Sequence, residues 1–409
     1  MCDYCSWIDQ ILARINAEAK PEKKKHQIHV DPVIIVHGGA GRIPRKKRER
    51  MLFEVKNAAI EAYSALINGK SAVVAVEKAI SYMESRSLFN CAKGGSLDIN
   101  DEVVTDAAIM TVNDAGCVGA VRDIEHPISL ARKVLENTDH VLIVENGAQK
   151  FALDNGIQIL PPGTLSMRES VTSYSSGEYK SYGSCTMFDC PNYLNEKDND
   201  NNEWEDNAEG KKECDSDCIL KRSMEGESYP YRVSSFDSDG LFDEPILLET
   251  SAVGVVAFDR KRRLASGTST AGEPRKPIGS ISATGTVIGC GIYTDEHGSV
   301  SISGNDTNIY CYAPARKIIR YLSEDAEISN AVNAVLDNFE QETGESNIGC
   351  IALNAKGDPC VSFKCLHFPW AFCQKGYVYY GLEQNEKFWE KVDVLERPLD
   401  CMCNSSDED

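Results

Sequence analysis

Three residues, Thr250-Ser251-Ala252, lead into the apolar run Val253-Gly254-Val255-Val256-Ala257-Phe258. A hydroxyl at the head of a buried strand is a candidate nucleophile for acyl transfer when a base stands within hydrogen-bond reach. Ala252 heads this run, and its methyl group can neither attack a carbonyl nor open a peptide bond. Thr250 and Ser251 carry hydroxyls just upstream and are the alternative nucleophiles. A strand advances ~3.3 Å per residue and flips its side chains at each step, so Ser251 should face away from any pocket at Ala252 and Thr250 should sit two residues too far back. Further on, Thr270 closes Gly267-Thr268-Ser269-Thr270, followed by Ala271-Gly272. On its own it reads as a strand threonine satisfied by the backbone.

Composition narrows the class. The chain has 409 residues, 42% hydrophobic and 26% charged, which suits a soluble globular protein with one large core or two modest ones. A net charge of −20 argues against a general binder of nucleic acid or of membrane surfaces, since both favour basic faces. No run is long and apolar enough to span a bilayer, and the acidic start at Met1-Cys2-Asp3-Tyr4-Cys5 reads as lacking a secretory signal. A cytoplasmic protein is expected. Sixteen cysteines include the close pairs Cys2/Cys5, Cys185/Cys190, Cys214/Cys218 and Cys401/Cys403. They lack zinc-finger spacing, so free thiols are expected, with a zinc-binding module in the middle of the chain as the competing reading.

The elements that must position this chemistry follow from periodicity. Residues 1–32 read as an N-terminal extension with a short amphipathic helix at 7–15 and the basic stretch Lys23-Lys24-Lys25. Val33-Ile34-Ile35-Val36 is a buried strand that ends in the turn His37-Gly38-Gly39-Ala40-Gly41. The spacing of Met51, Phe53, Ala58, Ala59, Ala62, Leu66 and Ile67 predicts a helix, and Ser71 caps another through Met83. The basic run Arg45-Lys46-Lys47-Arg48-Glu49-Arg50 is a solvated first turn, against the preference of the helix dipole. Strands are expected at 103–110, 117–121 and 141–144, and helices at 127–135 and 147–153. Residues 161–250 form an acidic, low-complexity insert. The second half, 251–385, predicts strands at 253–259, 264–268, 288–293, 299–303, 348–354, 359–365 and 377–380, with helices at 313–321 and 328–340. Residues 386–409 are an acidic tail.

These pieces resemble the asparaginase/isoaspartyl-peptidase branch of the N-terminal-nucleophile hydrolases over roughly 33–155 and 251–381. His37-Gly38-Gly39-Ala40-Gly41 is similar to that family's glycine turn, with Gly38, Gly39 and Gly41 behind the cleavage site. Phe89-Asn90-Cys91-Ala92-Lys93-Gly94-Gly95 is similar to its Phe-Asn-Ala-Gly loop, in which the asparagine supports the nucleophile. Asp106-Ala107-Ala108-Ile109-Met110 matches its Asp-Ala-Ser-Ile-Met strand. The resemblance implies a four-layer αββα sandwich and a precursor that cuts itself before a threonine, then hydrolyses L-asparagine and β-aspartyl dipeptides. It also implies a structural sodium ion held by backbone carbonyls just before Phe89 and no other cofactor.

The same resemblance shows what has changed. Ala252 stands where the family has its threonine nucleophile, and Thr270 where it has the second threonine beside the freed amine. Ser303-Gly304 matches the Thr-Gly pair that donates to the oxyanion. The family's Gly-Arg-Val-Gly-Asp clamp corresponds to Gly279-Ser280-Ile281-Ser282-Ala283, so Ser280 replaces the arginine for the α-carboxylate and Ala283 the aspartate for the α-amine. Asp306 replaces a small glycine in the Thr-Gly-x-Gly pattern. Charge-assisted contacts are worth ~1.5–3 kcal/mol each, so two losses weaken substrate binding by a few powers of ten. Arg275 and Lys276 are the nearest cations in sequence. Erosion of nucleophile and clamp together points to a natural non-catalytic relative rather than to a laboratory Thr→Ala exchange. The expected protein is an uncut pseudo-enzyme that forms a homodimer or pairs with an active paralogue, with a small amino-acid ligand and neither nucleic acid nor membrane as partner. The alternative is a working amidohydrolase that uses Thr250 or Ser251.

Overall fold

Strands buried on both faces need no apolar–polar alternation, and three of them meet at the centre of this molecule. The computed structural model describes residues 30–166 and 249–392. The helix expected at 7–15, the basic stretch at 23–25, most of the insert, all four close cysteine pairs and the last residues of the tail lie outside that range. Strands β1 (Val33–His37), β7 (Val253–Phe258) and β8 (Leu264–Thr270) are buried at every position. They lie side by side in a nine-stranded sheet of order β15-β14-β13-β1-β7-β8-β3-β4-β5. Its other members are β3 (Val104–Thr111), β4 (Ala115–Arg122), β5 (Leu142–Val144), β13 (Trp370–Gln374), β14 (Tyr377–Gly381) and β15 (Phe388–Lys391).

Alternation along the central strands sorts their side chains between two cores. Ile34, Val36, Val253, Val255 and Ala257 face helices α1 (Arg45–Ile67), α2 (Ala72–Glu84) and α3 (Pro127–Asn137). Val33, Ile35, Val256 and Phe258 face the other way, against Ile351 and Leu353 of a second sheet. That sheet has the order β12-β11-β10-β9, built from β9 (Ile292–Thr294), β10 (Gly298–Gly304), β11 (Ile348–Asn354) and β12 (Pro359–Phe363). Its outer side packs on helices α7 (Pro314–Ser323) and α8 (Ile328–Thr343) through Val300, Ile302, Ile318, Val332 and Phe339. The result is the expected αββα sandwich. Between these parts lie helix α4 (Glu145–Asp154), the single turn α5 (Ala283–Thr286) and helix α6 (Asp306–Tyr312).

Several boundaries differ from expectation. Helix α1 starts at Arg45, so the whole basic run is helical. Arg48 secures it by donating to the Ile43 carbonyl and to Glu383. Phe53, expected on the buried face, is 55% exposed. The strand expected at 288–293 is Ile292–Thr294 instead, because Gly289 takes φ +98° and the chain turns there, with the Cys290 N–H bonded to the Val287 carbonyl and the Gly289 N–H to the Ile292 carbonyl. Strands β13 and β15 and helix α6 had no counterpart in the reading, and β15 carries the sheet past position 385.

Gly254 on β7 is the tightest point between the sheets. A Cβ there would lie 2.0 Å from Ser301 Oγ and 2.4 Å from His37 Nε2. Gly254→Ala is therefore expected to lower stability by about 1–3 kcal/mol through overpacking. Gly147→Ala on exposed α4, where a Cβ would meet only Ile143 Cγ2 at 3.6 Å, should raise it by about 0.5–1 kcal/mol. Denaturant unfolding of the two variants beside the parent measures both signs.

Candidate functional site

The chain around Ala252 is held by hydrogen bonds on the Ser251 N–H and the Ala252 carbonyl. Strand β2 (Gly41–Arg42) pairs with β6 (Glu249–Thr250), which brings the glycine turn alongside the chain entering β7. The Ser251 N–H donates to the Ala40 carbonyl at 3.0 Å. The Ala40 N–H donates to Ser303 Oγ at 2.9 Å, and Ser303 Oγ donates to the Ala252 carbonyl at 2.8 Å. Gly39, at φ +102°, lies so close that a Cβ would stand 2.5 Å from the Ser251 oxygen. Only a glycine leaves room for that carbonyl and takes that backbone angle without strain. The Ser303 hydroxyl was expected to serve an oxyanion. In this structure its proton goes to the Ala252 carbonyl.

Thr270 and Asn90 come together at this point. Antiparallel pairing of β7 and β8 sets Val253 opposite Ser269, and one step back sets Ala252 opposite Thr270. Both are 1% exposed. Thr270 Oγ1 accepts the Gly272 N–H at 2.9 Å. Asn90 holds the same turn: its Nδ2 donates to the Gly272 carbonyl at 2.8 Å, its Oδ1 accepts the Ser96 N–H, and its carbonyl accepts the Ala271 N–H. Asn90 thus acts through the turn after Thr270.

The stretch 279–283, which the resemblance sets against the family's clamp, is built as follows. Ser280 is partly exposed, and its N–H donates to the Pro277 carbonyl at 3.1 Å. Ala283 is buried and offers its N–H to Asp306 Oδ2 at 2.8 Å. Asp306 Oδ1 takes three more donors, Ser282 Oγ at 2.7 Å and the Thr284 N–H and Oγ1, each at 2.9 Å. On the other side, fully buried Asp106 accepts the Ala120 N–H on Oδ1 and the Ser282 N–H on Oδ2. Burial holds the Asp106 carboxyl above the usual carboxylate range, with Lys276 opposing.

Of the two adjacent cations, Lys276 turns inward and Arg275 outward. Lys276 Nζ donates to the Val104 carbonyl at 2.9 Å and lies 3.8 Å from Asp106, whereas Arg275 pairs with Asp101 at the surface. A Cβ on Gly272 would stand 3.3 Å from Lys276 Nζ, which places the ammonium beside the Thr270 turn.

The sequence reading missed two buried polar groups. His37 lies between the sheets, stacks on Phe368 and hydrogen-bonds Ser301 Oγ at 2.9 Å through Nε2. Burial pushes it down to about 3, so it is neutral at physiological pH. The alternation of Ser299, Ser301 and Ser303 on β10 is the signal that a polar seam runs along one face of that strand. Behind β8, buried Glu84 accepts from Ser269 Oγ at 2.7 Å and from the Ile128 N–H at 3.1 Å. Glu84 is the last residue of α2, where helical spacing does not tell a buried carboxylate from a solvated one.

The loop around Phe89 supplies backbone carbonyls, the oxygen donors that a sodium ion would take; those of Ser87 and Phe89 lie against Gly94, 2.9 and 2.3 Å from where a Cβ on that glycine would stand. Among the described residues, no group of three or more His, Cys, Asp or Glu side chains is placed to hold a metal ion. No described helix is long and apolar enough to cross a membrane.

Comparison with known proteins agrees with this geometry. Residues 30–380 match the family model described as Asparaginase. The isoaspartyl peptidase/L-asparaginase of Xenopus laevis is 30% identical over 371 residues, covering 90% of this chain and 99% of that protein. The corresponding protein of Danio rerio is 29% identical over 365 residues, with 88% and 98% covered. The plant-type L-asparaginase of Pyrococcus abyssi is 30% identical over 346 residues, with 84% and 96% covered. The match spans both halves of the sandwich and includes the bond between Ser251 and Ala252, so the chain belongs to the asparaginase family.

Proposed function

We propose that this chain is an uncut, catalytically silent member of its family, retained for binding rather than hydrolysis. The observation that carries the reading is the Ala252 methyl group, buried opposite Thr270 at the head of β7. The family reaction, by which relatives named isoaspartyl peptidase/L-asparaginase are known, needs a hydroxyl there and a free α-amine behind it. Ala252 supplies neither while the chain stays whole. Thr250 is a weak substitute, because it pairs with Gly41 in the short ladder two residues upstream. Ser251 has its N–H tied to Ala40, and strand alternation turns it to the face opposite Ala252. The clamp supports the same view, since Ser280 and Ala283 bring no charge to the head of an amino acid.

The side chains of Thr270, Asp106, Lys276 and Asp306 are hydrogen-bonded, and an intact fold without a nucleophile favours a binding role, either alone as a dimer or beside an active paralogue. Cytosolic residence fits this reading.

Ala252→Thr tests the nucleophile. The glycine turn and its hydrogen bonds are in place, so self-cleavage at the 251–252 bond should appear as two fragments on a denaturing gel, while the parent gives one band. Hydrolysis of L-asparagine by that variant should stay about 10²–10⁴-fold below an intact family member, the equivalent of two lost charge-assisted contacts. Aspartate release by the parent itself contradicts the reading. Ser303→Ala leaves the Ala252 carbonyl and the Ala40 N–H without their shared partner and should cost about 1–3 kcal/mol in denaturant unfolding.

A further inference from the structure

We infer that His367 is an acid-sensitive latch on the stretch that leads to Ala252: on taking up a proton, its ring must release the strand against which that stretch rests. His367 lies in the loop between β12 and β13 and is 1% exposed. Three contacts bind it to the end of the glycine turn and to β2. Its N–H donates to the Gly41 carbonyl, and its carbonyl accepts the Gly41 N–H, both at 3.1 Å. Its ring accepts the Ile43 N–H on Nδ1 at 3.2 Å. The Cys365 thiol donates to the His367 carbonyl and steadies the loop from its own side. Strand β2 in turn carries β6, with Gly41 opposite Thr250 and Arg42 opposite Glu249. The backbone just before Ser251 and Ala252 therefore rests on a strand that one imidazole holds in place.

The contact at Nδ1 dictates the response to acid. A neutral imidazole has one nitrogen that donates and one that accepts, whereas an imidazolium has two donors. Nδ1 gives its lone pair to the Ile43 N–H, so the proton of the neutral ring is on Nε2, which lies 3.7 Å from Glu383 Oε1. A second proton can enter only at Nδ1, where two N–H groups would then face each other. Protonation and the Ile43 contact exclude one another. Burial is the largest influence on the ring, and Arg48 of α1 and Arg42 of β2 add to it by opposing a further positive charge. Glu383, which follows β14, and the Gly41 backbone act the other way, and the balance holds His367 below the ordinary histidine range. The unfolded chain thus binds this proton more readily than the folded one. The latch is fastened above the unfolded value of about 6.5 and is lost as pH falls through the lowered folded value. Its release lets β2 and β6 part, which opens the peptide units at 249–251 to solvent. The device acts on the uncut chain and holds whether or not that chain hydrolyses anything.

Hydrogen exchange of the full-length chain, read by mass spectrometry and corrected for the intrinsic pH dependence of amide exchange, tests it. Between about pH 7.5 and about pH 4.5, peptides covering 41–43 and 249–251 should lose about tenfold in protection while those of β1 and β7 hold theirs. His367→Asn sets an amide oxygen near the place of Nδ1, where it can accept the Ile43 N–H but cannot titrate. That variant should keep the same peptides protected across the range. Glu383→Gln removes the carboxylate that favours the imidazolium and should move the transition to lower pH. Unchanged protection of 41–43 and 249–251 in the parent would overturn the inference, and this arm needs no variant to fold. Equal loss in His367→Asn and parent would overturn it too, as would simultaneous loss in β1 and β7, the mark of ordinary acid unfolding.

Discussion

Everything at this site depends on the hydrogen-bonded loop that runs from Ala40 through Ser303 to Ala252 and back through Ser251 to Ala40. It ties three distant parts of the chain, the turn after β1, the head of β7 and the end of β10, to the same few ångströms. Each bond contributes only about 0.5–1.5 kcal/mol net, but breaking one leaves buried polar groups unmatched at a larger cost. Gly39 is the steric condition for the arrangement, because any side chain there would meet the Ser251 carbonyl. On the proposed reading, this frame presents Ala252 where the family has a hydroxyl-bearing nucleophile.

On the proposed reading, the surroundings of Ala252 differ from the family pattern at several positions at once. Ser280 and Ala283 bring no charge where the resemblance implies an arginine and an aspartate. Asp306 brings a carboxylate where the resemblance implies a glycine, and the turn it caps adds hydroxyls that bind it. Random loss would leave cavities and unmatched groups. Here the new carboxylate is satisfied four times over. Those contacts leave no oxygen of the Asp306 carboxylate without a partner.

Much of this was legible in the residues. Val33-Ile34-Ile35-Val36 and the run from Val253 announce strands buried on both faces, because no alternation is needed when both sides are dry. The glycine turn was readable because its backbone forbids side chains, a requirement that leaves a mark in sequence. Other features left none. Which of Arg275 and Lys276 turns inward depends on the Val104 carbonyl and Asp106, both far away in the chain. Helix α6 has seven residues and one polar cap, too short for a period to show. Strand β13 mixes aromatic, small and sulfur side chains, and its place beside β1 is fixed by tertiary packing. The commitment of the Ser303 proton to Ala252 is a matter of angles that residue types do not encode.

Intact mass of the protein taken from its source cells tests the central claim most directly. The account predicts one polypeptide that is continuous across residues 250–252. A species split there, with a new amino terminus at residue 250, 251 or 252 and turnover of a β-aspartyl compound, would contradict it.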